Sequence, residues 1–558
     1  MTASACRGDA FANRSYRFLA SIFVEMETTA TALDTTPRSL TPEPSEQMSV
    51  RRTRRWHFAR AAIVGFGAGL LAVAFRRALA SAESGRGELL TALQRSPRWG
   101  WVVLPAIGLA LGSLVGWVTQ KFAPEAGGSG IPHLKGVLLH LRTLRWKRLI
   151  PVKFFGGVAG IGVGLSMGRE GPTVQMGAAV AQALASALRA PASDLPQLLS
   201  AGAGAGLAAA FNAPLAGLVF VIEELHRELS SRTAAGALIA AVCATVVMQW
   251  LSGDAPPFRV HGLEAMPLAA LPLAAIVGGL GGLCGDVLNR SLLKAQAIAL
   301  NQKRIPRWML PGIAGLLVGI VAWRLPDAIG AGHEVAERVL SGSLQATLGM
   351  LALLMATKFV LTTLCYASGA PGGIFAPMLL IGALVGTMLG NTVGLVTPAF
   401  AGHTPVLALL GMAGIFVGSV RAPLTGIVLV SEMTEGYQLL FPICISALCA
   451  YLVAEALGGT PIYDALLEAD LRRHGHGPAH PEPRRVYVGI QTGSSLAGKT
   501  IATSGLPGGC LVVGVERAGA HLLPSAGMTL LPGDHISILV PGDAPHAPLQ
   551  IVNLCTGL

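Results

Sequence analysis

The sequence predicts an all-α polytopic membrane protein with a small α/β domain at its C-terminal end. Three observations carry this prediction. First, 52% of the 558 residues are hydrophobic and only 13% are Asp, Glu, Lys or Arg, about half the charged share of an average soluble domain; the mean hydropathy is +0.58. Second, long apolar stretches run over 59–80, 101–119, 231–252, 268–288, 309–324, 345–366, 374–396 and 436–457, where about 20 apolar residues suffice to span hydrocarbon. Third, shorter apolar pieces at 150–165, 172–188, 198–211, 213–223, 404–418 and 422–432 are bounded by Gly and Pro. These are too short to span upright and predict tilted or broken helices inside the membrane. The 70 glycines and 35 prolines suit close helix packing and interrupted helices.

Residues 1–50 are polar, contain "TTPRSLTPEPSEQ" and are expected to be a disordered cytoplasmic extension. "FLASIFVEM" at 18–26 is short and lacks a small-residue cleavage pattern, so no signal peptide is expected; Met26 and Met48 are alternative starts. "RRTRRW" at 51–56 precedes the first apolar stretch and predicts a cytoplasmic N-terminus. The formal net charge of +11 therefore reads as loop and terminal Lys/Arg rather than as a nucleic-acid surface, and no nucleic-acid partner is expected. The eight cysteines lack C-x-x-C pairs, so neither a disulfide framework nor a metal site is predicted.

The membrane domain is expected over 51–470 as two repeats, about 57–250 and 265–470. "FNAPLAGLVFVIEE" at 211–224 resembles "VRAPLTGIVLVSEM" at 420–433, an offset of 209 residues. "GAGAGLAAA" from 202 resembles "GMAGIFVGS" from 411 at the same offset, and "GPTVQMGAAV" from 171 resembles "APMLLIGALV" from 376, with Pro172 and Pro377 205 apart. Two halves with breaks at matching places indicate a repeat-built transport fold, inverted or parallel.

Three glycine-rich breaks sit where helices should begin: "GGSGIPHLKG" (127–136), "GREGPTVQMG" (168–177) and "GAPGGIFAPM" (369–378). Each has a proline near the first turn, where its missing N–H costs nothing. A helix start leaves backbone N–H groups unpaired and carries about half a positive charge, so several meeting in mid-membrane form a nest for a small anion. Glu170 at one such start is a membrane-buried ionisable group. Deprotonated, its carboxylate could occupy the same nest; protonated, it would leave it. A structural Arg169–Glu170 ion pair is the competing reading. Glu223 and Glu224 close an apolar run; two neighbouring carboxylates raise each other's proton affinity, while solvated helix-end acids are the alternative.

On these motifs the chain resembles the chloride channel and chloride/proton antiporter (CLC) family, over roughly residues 57 to 470. The carriers are "GSGIP" (128–132), "GREGPTVQ" (168–175), "FNAPLAG" (211–217), "GAPGGIFAP" (369–377) and "RAPLTG" (421–426). The resemblance implies an inverted repeat, a homodimer with one anion path per subunit, and both termini cytoplasmic, in a bacterial inner membrane. It implies that Ser129, with Gly130 and Ile131, contributes to the anion site, together with Arg169, Gly373 and the N–H groups of Ile374 and Phe375. Tyr463 of "GGTPIYDALL" (458–467) would face the same anion. Glu170 matches the external gate, Glu224 the internal proton-transfer residue of exchangers, and Glu223 its supporting neighbour. Chloride and protons would be the transported ions, without a cofactor or an enzymatic reaction. Antiport is expected, with a passive gated chloride channel as the alternative. Where bacterial relatives often run E-x-E-G after "GSGIP", this chain has "HLKG", so Lys135 replaces an acid close to Lys153; the two lysines could bear on the anion or face water.

The polar stretch 471–485 reads as a linker. The segment 486–558 alternates short apolar runs with Gly/Pro turns, the pattern of a small stranded domain. Its "GSSLAGKT" (493–500) matches the phosphate-loop pattern formally, but too little chain follows for a nucleotide-hydrolysing domain. "GSSLAGKTI", "LVVGVERAG" and "LLPGDHISILV" resemble the RCK-C module of potassium-conductance regulators, implying a regulatory domain that could bind a small ligand.

Overall fold

In the computed structural model the described residues are 44–556, apart from 96, 140, 192–193, 227–230, 254–257, 259–265, 345, 398–401, 475–482, 518–519, 542–543 and 545–546. The chain divides into two units, Met1–Trp56 and His57–Leu558. Most of the expected disordered extension, 1–43, lies outside the described residues, whereas 44–50 are helical and open the first helix. The core of the expected linker, 475–482, also lies outside them; 471–474 complete a helix instead.

The helices of the first repeat are α1 (Pro44–Arg95), α2 (Pro97–Phe122), α3 (Ile131–Leu138), α4 (Trp146–Gly162), α5 (Glu170–Ala187), α6 (Leu195–Phe211), α7 (Pro214–Phe220) and α8 (Ser231–Ser252). A π-helical turn, Val221–His226, extends α7. The second repeat holds α9 (Leu271–Asn301), α10 (Leu310–Arg324), α11 (His333–Leu340), α12 (Leu348–Ala367), α13 (Phe375–Val396), α14 (Thr404–Val420), α15 (Pro423–Thr434), α16 (Leu440–Ala456) and α17 (Ile462–His474). Among the described residues seven helices are long and apolar enough to cross a membrane. The 309–324 stretch departs from the sequence expectation: α10 has 15 residues, about 22 Å at 1.5 Å per residue, short of an upright crossing. Helix α9, with 31 residues, is about 46 Å long and can lie in a bilayer only by tilting or protruding. Large apolar side chains such as Trp101, Leu114, Phe155, Val246, Leu353 and Leu452 are exposed, as a hydrocarbon surround allows.

The repeat is written into the backbone. Helices α6 and α14 both end on a left-handed residue that is not glycine, Asn212 (φ 52°) and Arg421 (φ 65°), 209 positions apart. That conformation is uncommon outside glycine; in both halves it turns the chain into an A-P-L helix start. Both helices are buried continuously, Leu198–Phe211 and Val406–Val420, as helices apolar all round must be. Small residues let neighbours close on them. A Cβ on Gly177 of α5 would overlap the Gly202 carbonyl of α6, and one on Gly382 of α13 would overlap the Gly411 carbonyl of α14. The architecture is an inverted repeat of many short and broken helices.

Among the described residues the C-terminal domain has four strands, β1 (Arg484–Gly489), β2 (Leu511–Arg517), β3 (Ala520–Leu522) and β4 (His535–Val540), in the order β1-β4-β2-β3. All pairings among the described residues are antiparallel, unlike the parallel crossover of a doubly wound α/β unit. Val486, Val512, Val515, Ile536, Ile538 and Val540 form its core with Ile551 and Cys555 of α18 (Ala547–Thr556). After "GSSLAGKT" comes only the three-residue 3-10 turn Ile501–Thr503, so the strand–loop–helix setting of a phosphate loop is missing.

Candidate functional site: an anion nest between two carboxylates

The three glycine-rich breaks begin helices, as predicted, and converge. Gly130 (φ 86°) caps α3, Arg169 caps α5 and Ile374 caps α13. Gly168 and Gly373 exchange two backbone hydrogen bonds, each N–H donating to the other's carbonyl at 2.7 Å. Gly128 N–H donates to Ala370 O at 3.0 Å, and Gly372 N–H to Gly128 O at 3.1 Å. Gly171 lies so close to Ser129 that a Cβ there would be 2.8 Å from the Ser129 oxygen. The helix starts are thus woven into one knot by main-chain bonds.

Around this knot the expected anion-site residues are buried: Ser129, Ile131, Ile374, Phe375 and Tyr463 are all fully buried. The Ser129 hydroxyl accepts from Ile131 N–H at 3.3 Å. Phe375 opens α13, so the first N–H groups there have no intrahelical acceptor. The Phe375 and Tyr463 rings stack, centroids 6.1 Å apart. Tyr463 Oη is buried without a hydrogen-bond partner among the described residues. An orphaned buried hydroxyl is costly unless something fills the role, and an anion beside Ser129 and the α13 start would do so.

Glu170 is fully buried, and neither carboxylate oxygen has a hydrogen-bond donor among the described residues. Its side chain lies against His333 rather than Arg169. Oε1 lies 3.2 Å from Nε2 of His333, the first residue of α11, while no ion pair among the described residues joins Glu170 to Arg169. The side chain folds over Gly168, where a Cβ would overlap Oε2. Sequence reasoning missed His333. The available signal was a second repeat of the glycine pattern: "GAGH" at 330–333 lies 202 residues after "GSGI" at 128–131. Gly130 and Gly332 have φ of 86° and 87°. Lys153 donates to Gly128 O and Lys358 to Gly330 O, both at 2.6 Å, so each loop is held by a buried lysine.

The adjacent acids Glu223 and Glu224 reach different partners. Glu223 accepts from Leu424 N–H (3.1 Å), Thr425 N–H (2.7 Å) and Thr425 Oγ1 (2.7 Å), capping α15. Its repeat mate Glu432 accepts from Leu215 N–H (3.1 Å) and Ala216 N–H (2.7 Å), capping α7. Glu224 instead receives Lys135 Nζ at 2.8 Å, and Lys135 also pairs with Asp464. Neither lysine faces water: Lys135 is 6% exposed and Lys153 fully buried.

Residues 111–455 match the family model described as voltage gated chloride channel. The chain belongs to the CLC family. Residues 486–544 match the TrkA-C domain, the module type expected of the tail. A CLC relative named H(+)/Cl(-) exchange transporter ClcA, from Salmonella paratyphi B, is 40% identical over 420 residues, covering 74% of this chain and 88% of the relative. Its counterpart from Salmonella arizonae is 39% identical over the same shares. The solved structure of a slow cyanobacterial Cl-/H+ antiporter superposes with a TM-score of 0.71 at 34% identity, covering 75% of this chain and 98% of that one. A eukaryotic CLC transporter at 24% identity, TM-score 0.63 and coverage of 82% and 80% shares the fold.

Proposed function

We propose that this CLC chain is a proton-coupled chloride antiporter of the bacterial inner membrane. The observation that carries the reading is the placement of two buried carboxylates about one neutral nest. Glu170 stands at the start of α5 beside the knot, and Glu224 stands on the turn after α7, held by Lys135. A nest of partial charges, built from Ser129 and Tyr463 hydroxyls and the α13 N–H groups with Gly373 in the knot, binds a small anion without a full cation, so the ion can leave as well as enter. Arg169 at the α5 cap adds a favourable field.

In this mechanism Glu170 is the external gate. As a carboxylate it competes with chloride for the nest; protonated, it loses that attraction and yields the site. Glu224 delivers protons from the cytoplasmic side, and Glu223, by capping α15, fixes the turn that carries it. Two copies pair as a homodimer, each with its own path, and both termini are cytoplasmic. The TrkA-C-type tail is a regulatory module for a small ligand.

The test is flux in liposomes with paired pH recording. An imposed proton gradient is expected to drive chloride uptake against its own gradient. Glu170→Gln is expected to abolish proton movement and leave chloride passing; Glu224→Gln is expected to abolish proton movement and spare chloride. Chloride flux with no proton coupling in the unaltered chain would make it a passive channel.

A further inference from the structure

A buried lysine bonded to the inner carboxylate is an unusual neighbour for a group that must take up protons. Lys135 Nζ lies 2.8 Å from Glu224 Oε1, and the same ammonium pairs with Asp464. The side chains of Lys135 and Glu224 are 8% and 3% exposed, that of Asp464 32%. The cluster joins three elements. Lys135 lies on α3, whose cap loop carries Ser129; Asp464 follows Tyr463 on α17; Glu224 lies on the turn after α7. Among the described residues these contacts set one ammonium between two carboxylates.

We propose that Lys135 is a positioning residue for Glu224: its ammonium biases Glu224 toward the carboxylate, and Asp464, by competing for that ammonium, limits the bias. The inference rests on the reading of Glu224 as the inner proton-transfer residue. An opposite charge at this separation favours the ionised form and opposes the desolvation that burial imposes on it. Other described titratable groups nearby have contacts of their own. Glu223 faces α15, and His226 meets Ser200 Oγ at 2.7 Å. His133 Nδ1 lies 3.3 Å from Gln175 Nε2. Arg142 pairs with Asp470 at 2.8 Å, and Lys153 holds the Ala126 and Gly128 carbonyls. Helices α6 and α7 bring no charged side chain of their own to the turn. Proton uptake at Glu224 therefore responds to Lys135 and, through it, to Asp464, which lie on or beside the elements that carry the anion-site hydroxyls.

The experiment measures chloride-driven proton movement by the full chain in liposomes, at equal pH on both sides, across a pH series. Lys135→Gln removes the counter-charge, and its proton-flux profile is expected to move to higher pH by about one unit or more, tenfold in proton concentration. Asp464→Asn frees the ammonium for Glu224 and is expected to move the profile to lower pH; Lys135→Arg is expected to restore the original profile. Unshifted profiles, or shifts in the same direction for both neutralised variants, with chloride flux retained, overturn the proposal. Should Lys135→Gln fail to reconstitute, Asp464→Asn decides alone: a shift to lower pH supports the proposal, and no shift or the opposite one overturns it. Proton flux that survives Glu224→Gln removes the underlying reading instead, which separates the two failures.

Discussion

Glu223 and Glu432 each cap the helix that begins the other's segment. Glu223 takes the first N–H groups of α15, on which Glu432 lies, and Glu432 takes those of α7, which leads to Glu223. Donors and acceptors alike are separated by 209 residues, the offset of the two A-P-L segments. A reciprocal exchange of this kind arises when two similar units cross about a two-fold axis, and it pins the halves together at their broken helices.

Removing one half of the exchange separates its structural role from any role in transport. Glu432→Ala leaves the Leu215 and Ala216 N–H groups without their acceptor, which costs about 1–3 kcal/mol. The thermal midpoint in detergent is expected to fall while the ratio of chloride to proton flux holds. A changed ratio would place Glu432 in the transport chemistry.

His333 is expected to keep the Glu170 carboxylate off the nest. In His333→Ala the carboxylate loses its partner and competes more strongly with chloride, so half-saturating chloride should rise several-fold. In a Glu170→Gln background the same change should have little effect, because no carboxylate is left to hold. The double-mutant cycle on half-saturating chloride reads this directly; additive effects would exclude the coupling.

Tyr463→Phe removes a hydroxyl that has no hydrogen-bond partner among the described residues, so the fold should lose little. An anion would lose one donor, and a hydrogen bond to a charged group is worth about 1.5–3 kcal/mol. Half-saturating chloride is expected to rise roughly tenfold or more, with the thermal midpoint within a degree or two. A large fall in the midpoint would mean that the hydroxyl serves packing rather than the ion.

The tail carries a pH-dependent element of its own. Asp534 is buried and takes Arg517 Nε and Nη2 at 2.7 Å each, with Leu531 N–H at 2.8 Å. Burial raises its carboxyl, but the Arg517 guanidinium and the Leu531 N–H outweigh it and hold it below the usual carboxylate range. A depressed carboxyl stabilises the folded domain above its unfolded value, about 4, and that contribution is lost as pH falls through the folded value. In the full chain, Arg517→Met should speed hydrogen exchange in β4 at neutral pH, and the difference from the original chain should vanish in acid. A difference that persists in strong acid would point to lost side-chain packing instead.

The sequence by itself determined much of this protein, because its signals are local. Apolar length, Gly/Pro punctuation and the 209-residue offset foretold the helices, the three breaks and the repeat; a helix start depends on a few adjacent residues. The candidate carboxylates at 170, 223 and 224 were legible for the same reason, being charges in apolar surroundings. Only the tertiary structure decided their partners. His333 lies 163 positions from Glu170, Lys135 lies 89 from Glu224, and Glu223 turns away from Glu224 to a helix 200 positions on. Each pairing joins residues that no local period relates. The competing reading, an Arg169–Glu170 pair, gave way because a helix cap and the residue after it point apart, and His333 at the start of α11 meets Glu170 instead.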